Sequence, residues 1–378
     1  MRIAIDGRPS QHGRSGIGVY VSELVGSLAR HYPQHVYVVI QECRPGFVVS
    51  FDESNVECVS VAPSDDRRFQ RELWEQLELP LLLKSLNIDV YHATNYVLPS
   101  YRTLRCATVL TLHDASVLSI PQYYKLMPRM RMRHLIRRSA RVADAVVTVS
   151  QFTLDEYQIY FGERFRQKAR VIHLALPTDL RSDSYGKSRN AERRRPYILT
   201  VGAAQPRKNV ERLIAATELL GPNGPGLVVV GNIGAIGGAA ASAAESLRRE
   251  SRYLQLPKVS NDDLSRLYEG AVAVVTASLY EGFGLPILEA FSFGVPVLAS
   301  NIPAHIEVGG EAIVTFDPRS TRHMTDAIAT LISDPVARGR LAEAGHTRLT
   351  QFSWRHAAAE HMAAYEWAVA QRAKRRNW

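Results

Sequence analysis

The sequence lacks a long run of uncharged apolar residues. No segment approaches the ~18–20 such residues that a transmembrane helix needs, so the sequence predicts no membrane-spanning segment. Arg2 and Asp6 interrupt the first apolar run, which is therefore typical of a buried strand and not of a signal peptide. We expect a cytoplasmic protein.

Cysteine is also scarce, with 3 residues in a chain of 378. Cys43, Cys58 and Cys106 are odd in number and irregularly spaced, so they fit neither a disulfide framework nor a zinc site. Such limited use of cysteine is typical of the reducing cytoplasm.

Several short catalytic motifs are missing as well. The sequence contains no Gly-x-x-x-x-Gly-Lys-Ser/Thr, no His-Glu-x-x-His, no Gly-x-Ser-x-Gly and no Asp-x-Asp after a strand. Metal-dependent phosphoryl chemistry, zinc hydrolysis and serine hydrolysis therefore lose support. We expect no metal and no other cofactor, and a diphosphate leaving group would then depend on side-chain cations and helix amides.

The charge of the chain is strongly positive. A formal net charge of +9 implies an anionic partner, which could be nucleic acid, membrane lipid or a phosphorylated small molecule. The segment 125–141 contains basic residues and no acid, interleaved with Met127, Met130 and Met132. This pattern predicts a basic amphipathic helix on the anionic inner-membrane surface, although a half-buried helix packed on a sheet would look similar. Nucleic acid is not expected, because no recognisable binding module accompanies the basic runs.

The order of apolar and polar segments indicates an α/β protein with two domains. Strand-like runs that are apolar throughout alternate with helical patterns, which is typical of parallel sheets covered on both faces. The pattern starts at 2–6, stops in the polar segment 176–196 and restarts at 197–201. We predict two Rossmann-like doubly wound domains, 1–180 and 197–353, that face each other across a cleft. Ligands bind such sheets at the carboxyl ends of the strands.

The segment from Glu281 to Glu289 is the strongest local signal. Gly282 and Gly284 let backbone amides approach a ligand, and Pro286 is suited to the start of a helix. These amides would bind a diphosphate, while Glu281 in the loop and Glu289 in the first helical turn would accept hydrogen bonds from sugar hydroxyls. Alternatively, the glycines only shape a turn and Glu289 is a favourable first-turn acid.

Arg207 and Lys208 form a second candidate site, between a strand and the next helix. Both cations stand directly before Asn209, a candidate N-cap, where they would neutralise phosphate oxygens. A solvated basic turn is the alternative interpretation.

Two weaker signals lie in the first half of the chain. Gly16 and Gly18 precede a helix expected to begin near Val19, but the third glycine of a dinucleotide-binding fingerprint is missing. His113 and Asp114 end a strand, where His113 would hold a sugar hydroxyl or shield a positive centre through its carbonyl. The alternative interpretation is that His113 has only a structural role. Asp114 would cap a helix or form a turn.

Taken together, these segments resemble the GT4-type retaining glycosyltransferases of the GT-B fold. The resemblance extends in order over nearly the whole chain and is carried by Gly16-Ile-Gly18-Val-Tyr20, Asp89-Val-Tyr-His92, Thr111-Leu-His-Asp114, Val149-Ser150, Pro206-Arg-Lys-Asn209 and Glu281…Glu289. It implies an acceptor-side N-terminal domain, a C-terminal domain that binds a nucleotide-sugar, and a final helix, 354–378, that packs back on the N-terminal domain.

The resemblance also implies roles for single residues. The catalytic set would be His113 beside the sugar, Lys208 and Arg207 on the diphosphate, and Glu281 on the hexose. The donor-binding set would be Gly16, Gly18, Gly202, Phe283, Gly284, Leu285, Glu289 on the ribose and Val259 near the base. The acceptor-side candidates are Arg14 and Asp114. Many members carry an arginine where this chain has Ala203, so Arg207 would carry more of the charge.

Within the family, the chain most resembles bacterial mannosyltransferases of surface polysaccharide synthesis. This resemblance implies GDP-mannose as the donor and a lipid-linked oligosaccharide as the acceptor. UDP-glucose, UDP-GlcNAc and dTDP-rhamnose remain alternative donors, and an epimerase or a phosphorylase is a more distant alternative.

Overall fold

The structure is a computed structural model, and it describes residues 1–8, 16–42, 51–61, 68–99, 104–180, 195–202, 205–234 and 236–376. The chain divides into two compact units. Unit 1 comprises Met1–Leu174 and Ser353–Trp378, and unit 2 comprises Ala175–Phe352. The first boundary therefore falls just before the polar segment 176–196 and not within it.

Unit 1 contains a parallel sheet, seven-stranded in the part of the chain described. Its strands are β1 (Arg2–Asp6), β2 (Val36–Glu42), β3 (Val56–Val61), β4 (Val90–Ala93), β5 (Ala107–Leu112), β6 (Ala145–Thr148) and β7 (Ala169–Val171). The strand order is β3-β2-β1-β4-β5-β6-β7, and β4, β5 and β6 are buried along their whole length. Because these strands carry mainly apolar residues on both faces, each could be predicted from the sequence as an apolar run.

The helices of unit 1 before the boundary are α1 (Gly16–His31), α2 (Arg68–Ser85), α3 (Ser116–Ser119), α4 (Leu126–Val142), α5 (Gln151–Phe161) and α6 (Glu163–Arg166). Helix α5 begins with a side-chain cap, because Ser150 Oγ accepts a hydrogen bond from the Thr153 N–H at 3.0 Å.

Unit 2 contains a second parallel sheet, with six strands among its described residues. These strands are β8 (Tyr197–Val201), β9 (Gly226–Val230), β10 (Tyr253–Leu256), β11 (Ala273–Thr276), β12 (Val297–Ser300) and β13 (Ile313–Phe316). They are arranged in the order β10-β9-β8-β11-β12-β13. The order reverses between β8 and β11, and doubly wound sheets bind ligands at the carboxyl ends of the strands at such a reversal.

The helices of unit 2 are α7 (Val210–Glu218), α8 (Gly238–Arg249), α9 (Asn261–Gly270), α10 (Leu285–Ser292), α11 (Pro303–Gly309), α12 (Thr321–Ser333) and α13 (Pro335–Leu349). The periodicity of 320–346 predicts one helix, and that prediction is wrong. Asp334 is extended and its side chain accepts a hydrogen bond from the Ala337 N–H at 2.9 Å, so α13 starts anew at Pro335.

The last helix, α14 (Trp354–Arg376), belongs to unit 1 and packs on α1 and β5. Near its start, Ser27 Oγ donates a hydrogen bond of 2.9 Å to the carbonyl of Trp354. Near its end, Arg375 forms an ion pair of 3.0 Å with the buried Asp144. Among the described residues, no helix is both long enough and apolar enough to cross a membrane.

The packing of α13 on α10 leads to a stability prediction. A Cβ on Gly345 would lie 2.9 Å from Cε1 of the fully buried Phe291, whereas Gly339 in the same helix faces open space. We expect Gly345→Ala to lower the free energy of unfolding by about 1–3 kcal/mol through overpacking. Gly339→Ala should raise it by roughly 0.5–1 kcal/mol. Urea unfolding measures both, and equal stabilisation by the two substitutions would contradict the described packing.

Candidate functional site

Gly202 and Lys208 meet at the carboxyl end of β8. Gly202 follows the strand with a φ of 83°, a left-handed conformation that favours glycine, and its N–H donates to the Val230 carbonyl at 2.9 Å. A Cβ at Gly202 would lie 3.9 Å from Lys208 Nζ. The lysine head therefore lies beside the end of β8. Ala203 lies outside the described residues.

Glu281 lies between two cations after β11. Its carboxylate forms ion pairs with Arg207, at 3.0 Å, and with Lys208, and it accepts a hydrogen bond of 2.7 Å from Ser278 Oγ. We call Arg207, Lys208, Ser278 and Glu281 the Glu281 cluster. Burial alone would raise the pKa of Glu281, but Lys208 and Arg207 hold it well below its ordinary value. The carboxylate is therefore charged at neutral pH.

The loops that carry this cluster are held together by backbone contacts. Arg207 donates through Nη1 to the Tyr280 carbonyl at 2.8 Å, and its own carbonyl accepts from the Leu279 N–H at 2.8 Å. Asn209 is the N-cap residue of α7, as the sequence predicts, but its side chain makes no capping hydrogen bond. Asn209 is left-handed, with a φ of 59°, and its Nδ2 donates to the carbonyls of Ala277 and Pro318. Its amide thus ties the basic turn to the end of β11.

Gly284 caps the helix that follows Glu281. Its φ is 120°, and a Cβ there would lie 3.3 Å from His305 Cδ2, so both the conformation and the space favour glycine. Leu285, half-buried, is the first residue of α10. Phe283 is buried and lies edge-on to Phe352 with 6.0 Å between the ring centroids, which anchors the loop.

Glu289 lies in the second turn of α10, which corrects the expected place in the first turn. Its carboxylate is buried and accepts a hydrogen bond of 2.5 Å from the Tyr268 hydroxyl of α9. Tyr268 in turn stacks on Phe293, with 5.2 Å between the centroids. Val259 is half-buried in the loop between β10 and α9 and not on a strand, because β10 ends at Leu256.

His305 is a part of this site that the sequence did not reveal. It lies in α11, after the strand beside β11, and its Nε2 is 3.0 Å from Thr276 Oγ1. Burial lowers the pKa of His305 to about 4, so the ring is neutral at pH 7. A lone histidine after a short strand has no local signature that would mark it. In the part of the chain that is described, no group of three or more metal-ligating side chains is placed to hold a metal ion.

Gly16 and Gly18 belong to unit 1 and lie inside the first turn of α1. The helix begins at Gly16 and not near Val19, so both glycines are helical residues. Arg14, the other candidate in this segment, lies outside the described residues.

His113 directly follows β5, which ends one residue earlier than expected. Its Nε2 is 2.8 Å from the Thr94 carbonyl. Since a carbonyl only accepts, Nε2 carries the proton and Nδ1 of the neutral ring is a hydrogen-bond acceptor. Burial lowers the pKa of His113, which favours this neutral form. Asp114 forms a turn, because its Oδ1 accepts from the N–H and the hydroxyl of Ser116.

Helix α4 covers most of the basic segment 125–141. Its residues Ile136, Ser139 and Ala140 are buried against the rest of unit 1. The other side of the helix is exposed, and Met127 there is 75% accessible. The exposed side combines apolar and basic residues: Leu126, Met127, Met130, Arg131, Arg133, Arg137 and Arg141.

Two protein-family models match the chain, one in each half. Residues 14–180 match the family described as Glycosyltransferase Family 4, and residues 183–348 match Glycosyl transferases group 1. The O-antigen chain mannosyltransferase B of Escherichia coli is 29% identical over 97% of this chain and 100% of its own length. The O-antigen chain mannosyltransferase RfbU of Salmonella typhimurium is 26% identical over 70% of each chain.

A solved structure of similar fold is that of WaaG, a glycosyltransferase involved in lipopolysaccharide biosynthesis. It superposes with a TM-score of 0.72 at 17% identity, over 96% of this chain and 98% of the WaaG chain. Since the two family models together cover most of the sequence and the fold agrees, the chain belongs to the GT4-type glycosyltransferases of the GT-B fold.

Proposed function

We propose that this glycosyltransferase is a retaining mannosyltransferase that transfers mannose from GDP-mannose to a lipid-linked oligosaccharide in surface polysaccharide synthesis. The names of its O-antigen mannosyltransferase relatives support the sugar and the pathway. The single observation that carries the chemistry is the Glu281 cluster. It places two cations around one carboxylate at the carboxyl ends of β8 and β11, where doubly wound sheets bind nucleotides.

Donor binding, in this proposal, exchanges the partners of the cluster. Lys208 and Arg207 are compensated by Glu281, and a donor diphosphate offers them stronger charge and more oxygen acceptors. The diphosphate therefore replaces the Glu281 carboxylate on the two cations. Glu281 then accepts hydrogen bonds from hydroxyls of the hexose.

The bond between the anomeric carbon and the diphosphate oxygen breaks with the electron pair leaving on the diphosphate. Lys208 and Arg207 stabilise that growing negative charge without a metal ion. The acceptor hydroxyl attacks the face that the diphosphate leaves, and its proton passes to the departing phosphate oxygen. The products are the glycoside with retained configuration and GDP.

Other residues around the donor also have roles in this scheme. Glu289 accepts hydrogen bonds from the ribose hydroxyls, and Tyr268 fixes the orientation of its carboxylate. His113 accepts a hydrogen bond from a hexose hydroxyl through Nδ1, because Nε2 donates to Thr94. Gly202 has no side chain and so lets the diphosphate come close to the end of β8, and the amides of Gly284 and Leu285 would donate hydrogen bonds to it.

Helix α4 is proposed to hold the protein at the cytoplasmic face of the inner membrane, near a lipid-linked acceptor. Its exposed methionines would enter the interface, and its arginines would attract anionic headgroups. Arg138 lies on the partly buried side of the helix and anchors it by donating a hydrogen bond of 2.9 Å to Gln76 Oε1.

Loss of the Lys208 charge tests the role of the cations. We expect Lys208→Ala to reduce kcat by ~10²–10³-fold, because the leaving diphosphate loses one stabilising cation. GDP release from GDP-mannose, with UDP-glucose, UDP-GlcNAc and dTDP-rhamnose as parallel donors, measures the effect and identifies the donor. Arg322→Ala, on the exposed face of α12, is the control and should turn over normally. Normal turnover by Lys208→Ala would contradict the assignment.

The partner exchange at Glu281 predicts opposite effects on binding and on rate. Glu281→Gln removes the competing charge from Lys208 and Arg207, so GDP should bind about tenfold more tightly, a gain of about 1.4 kcal/mol. The rate of transfer should nevertheless fall, because the amide accepts fewer hydrogen bonds from the hexose. Titration calorimetry with GDP and steady-state kinetics test the two effects. Weaker binding of GDP by the variant would rule out the exchange.

Membrane contact by α4 is tested with two exposed arginines of its outer side. Each basic residue near an anionic surface contributes about 1 kcal/mol, so Arg133→Gln with Arg137→Gln should weaken vesicle binding about 30-fold. Co-sedimentation with vesicles of increasing anionic lipid content measures binding. The matched control is Arg248→Gln with Arg249→Gln on α8 of unit 2, which should bind like the wild type. If binding of the wild-type protein to vesicles did not increase with their anionic lipid content, the proposal would be contradicted.

A further inference from the structure

A chain of fully buried polar side chains in the interior of unit 1 begins and ends on α14. Its members are contributed by β4, β5, α1 and α14, and each has 0% of its surface exposed. We call it the Tyr20 chain; it consists of Tyr365, His92, Thr111, Tyr20 and His361. Consecutive members are 2.7–2.9 Å apart, from Tyr365 Oη through to His361 Nε2.

The backbone fixes the direction of every hydrogen bond in this chain. His361 Nδ1 is 2.7 Å from the Ala357 carbonyl and must be the donor there, so Nε2 of the neutral ring accepts from the Tyr20 hydroxyl. The Tyr20 oxygen then accepts from Thr111.

The same logic continues to the other end. Thr111 uses its proton toward Tyr20 and accepts from His92 Nε2, so His92 Nδ1 accepts from the Tyr365 hydroxyl. The alternative tautomer at either histidine would break the sequence of donors and acceptors.

These hydrogen-bond directions require both histidines of the Tyr20 chain to be neutral. Burial lowers the pKa of His361 to about 4 and lowers that of His92 well below its ordinary value. Burial also raises the pKa of Tyr20. A neutral, fully paired network in a dry interior is rigid, because each unmade hydrogen bond would leave a buried polar atom unsatisfied.

Tyr20 connects this network to His113. The two rings are edge-on, with centroids 5.0 Å apart and planes at 83°. Tyr96 lies edge-on to the same imidazole at 6.0 Å, and the Thr94 carbonyl accepts from its Nε2. The orientation of Nδ1 therefore depends on where the Tyr20 ring lies, and His361 of α14 is one of the two groups that hold the Tyr20 hydroxyl at less than 3 Å.

We propose that Tyr20 and His361 are positioning residues for His113, so that α14, the last helix of the chain, sets the orientation of the sugar-binding imidazole at the end of β5. The role of that orientation in transfer rests on the proposed function. The contact itself does not, because it is a property of unit 1 alone.

The test compares two substitutions at His361. His361→Leu removes the acceptor for the Tyr20 hydroxyl, whereas His361→Gln keeps an acceptor oxygen. We expect His361→Leu to shift the ¹⁵N resonances of the His113 ring and to lower kcat about tenfold at unchanged KM for the donor. His361→Gln should restore both toward the wild type. The His113 resonances are assigned by their loss in His113→Asn.

A matched control separates positioning from general loosening of the helix. Arg375→Ala breaks the ion pair with Asp144 near the other end of α14, so it should lower stability without moving the His113 resonances. If His361→Leu does not fold, Tyr20→Phe removes the same hydrogen bond and keeps the aromatic ring. Unchanged His113 resonances in a folded variant would overturn the proposal.

The two proposals can fail separately. A wild-type protein that transfers no sugar from any of the four donors would refute the proposed function. The nuclear magnetic resonance comparison would still decide whether Tyr20 and His361 position His113.

Discussion

A buried carboxylate stays charged only where cations compensate it, and at Glu281 that compensation comes from Lys208 and Arg207. The arrangement requires the loops after β8 and β11 to run side by side, and the parallel pairing of these two strands in the sheet makes this possible. Asn209 and the backbone of Arg207 then fix the two loops to each other. The sheet topology, the basic turn and the acidic loop therefore depend on one another.

The strands were largely predictable from the sequence, and the reason is physical. Parallel strands covered on both faces are mostly apolar, as β5, Ala107–Leu112, is apart from Thr108 and Thr111. Strand β10, Tyr253–Leu256, was missed because it lies at the edge of its sheet and exposes Leu254. Helix α8 was missed because its many alanine and glycine residues give little apolar periodicity.

The candidate site was predictable as a set of residues but not as a set of contacts. Motif resemblance selected Lys208 and Glu281, yet they stand 73 residues apart and their ion pair exists only through the strand order. Asn209 is the predicted N-cap of α7, but its side-chain amide bridges two loops and does not cap the helix. Tyr20 and His361 stand 341 residues apart, and neither carries a local signal of the other.

The Glu281 cluster and the Tyr20 chain hold buried polar side chains in different ways. The Glu281 cluster is charged, so an anionic ligand can compete for its cations and change the partners of its carboxylate. The Tyr20 chain is neutral and directed, so a charged ligand has no group there to displace. In the proposed function, the charged cluster is where a diphosphate would change the contacts, and the neutral chain is where the orientation of the His113 ring would persist. The His113 imidazole, held by a carbonyl and two aromatic rings, belongs to the second kind of environment, so its acceptor Nδ1 has one fixed direction.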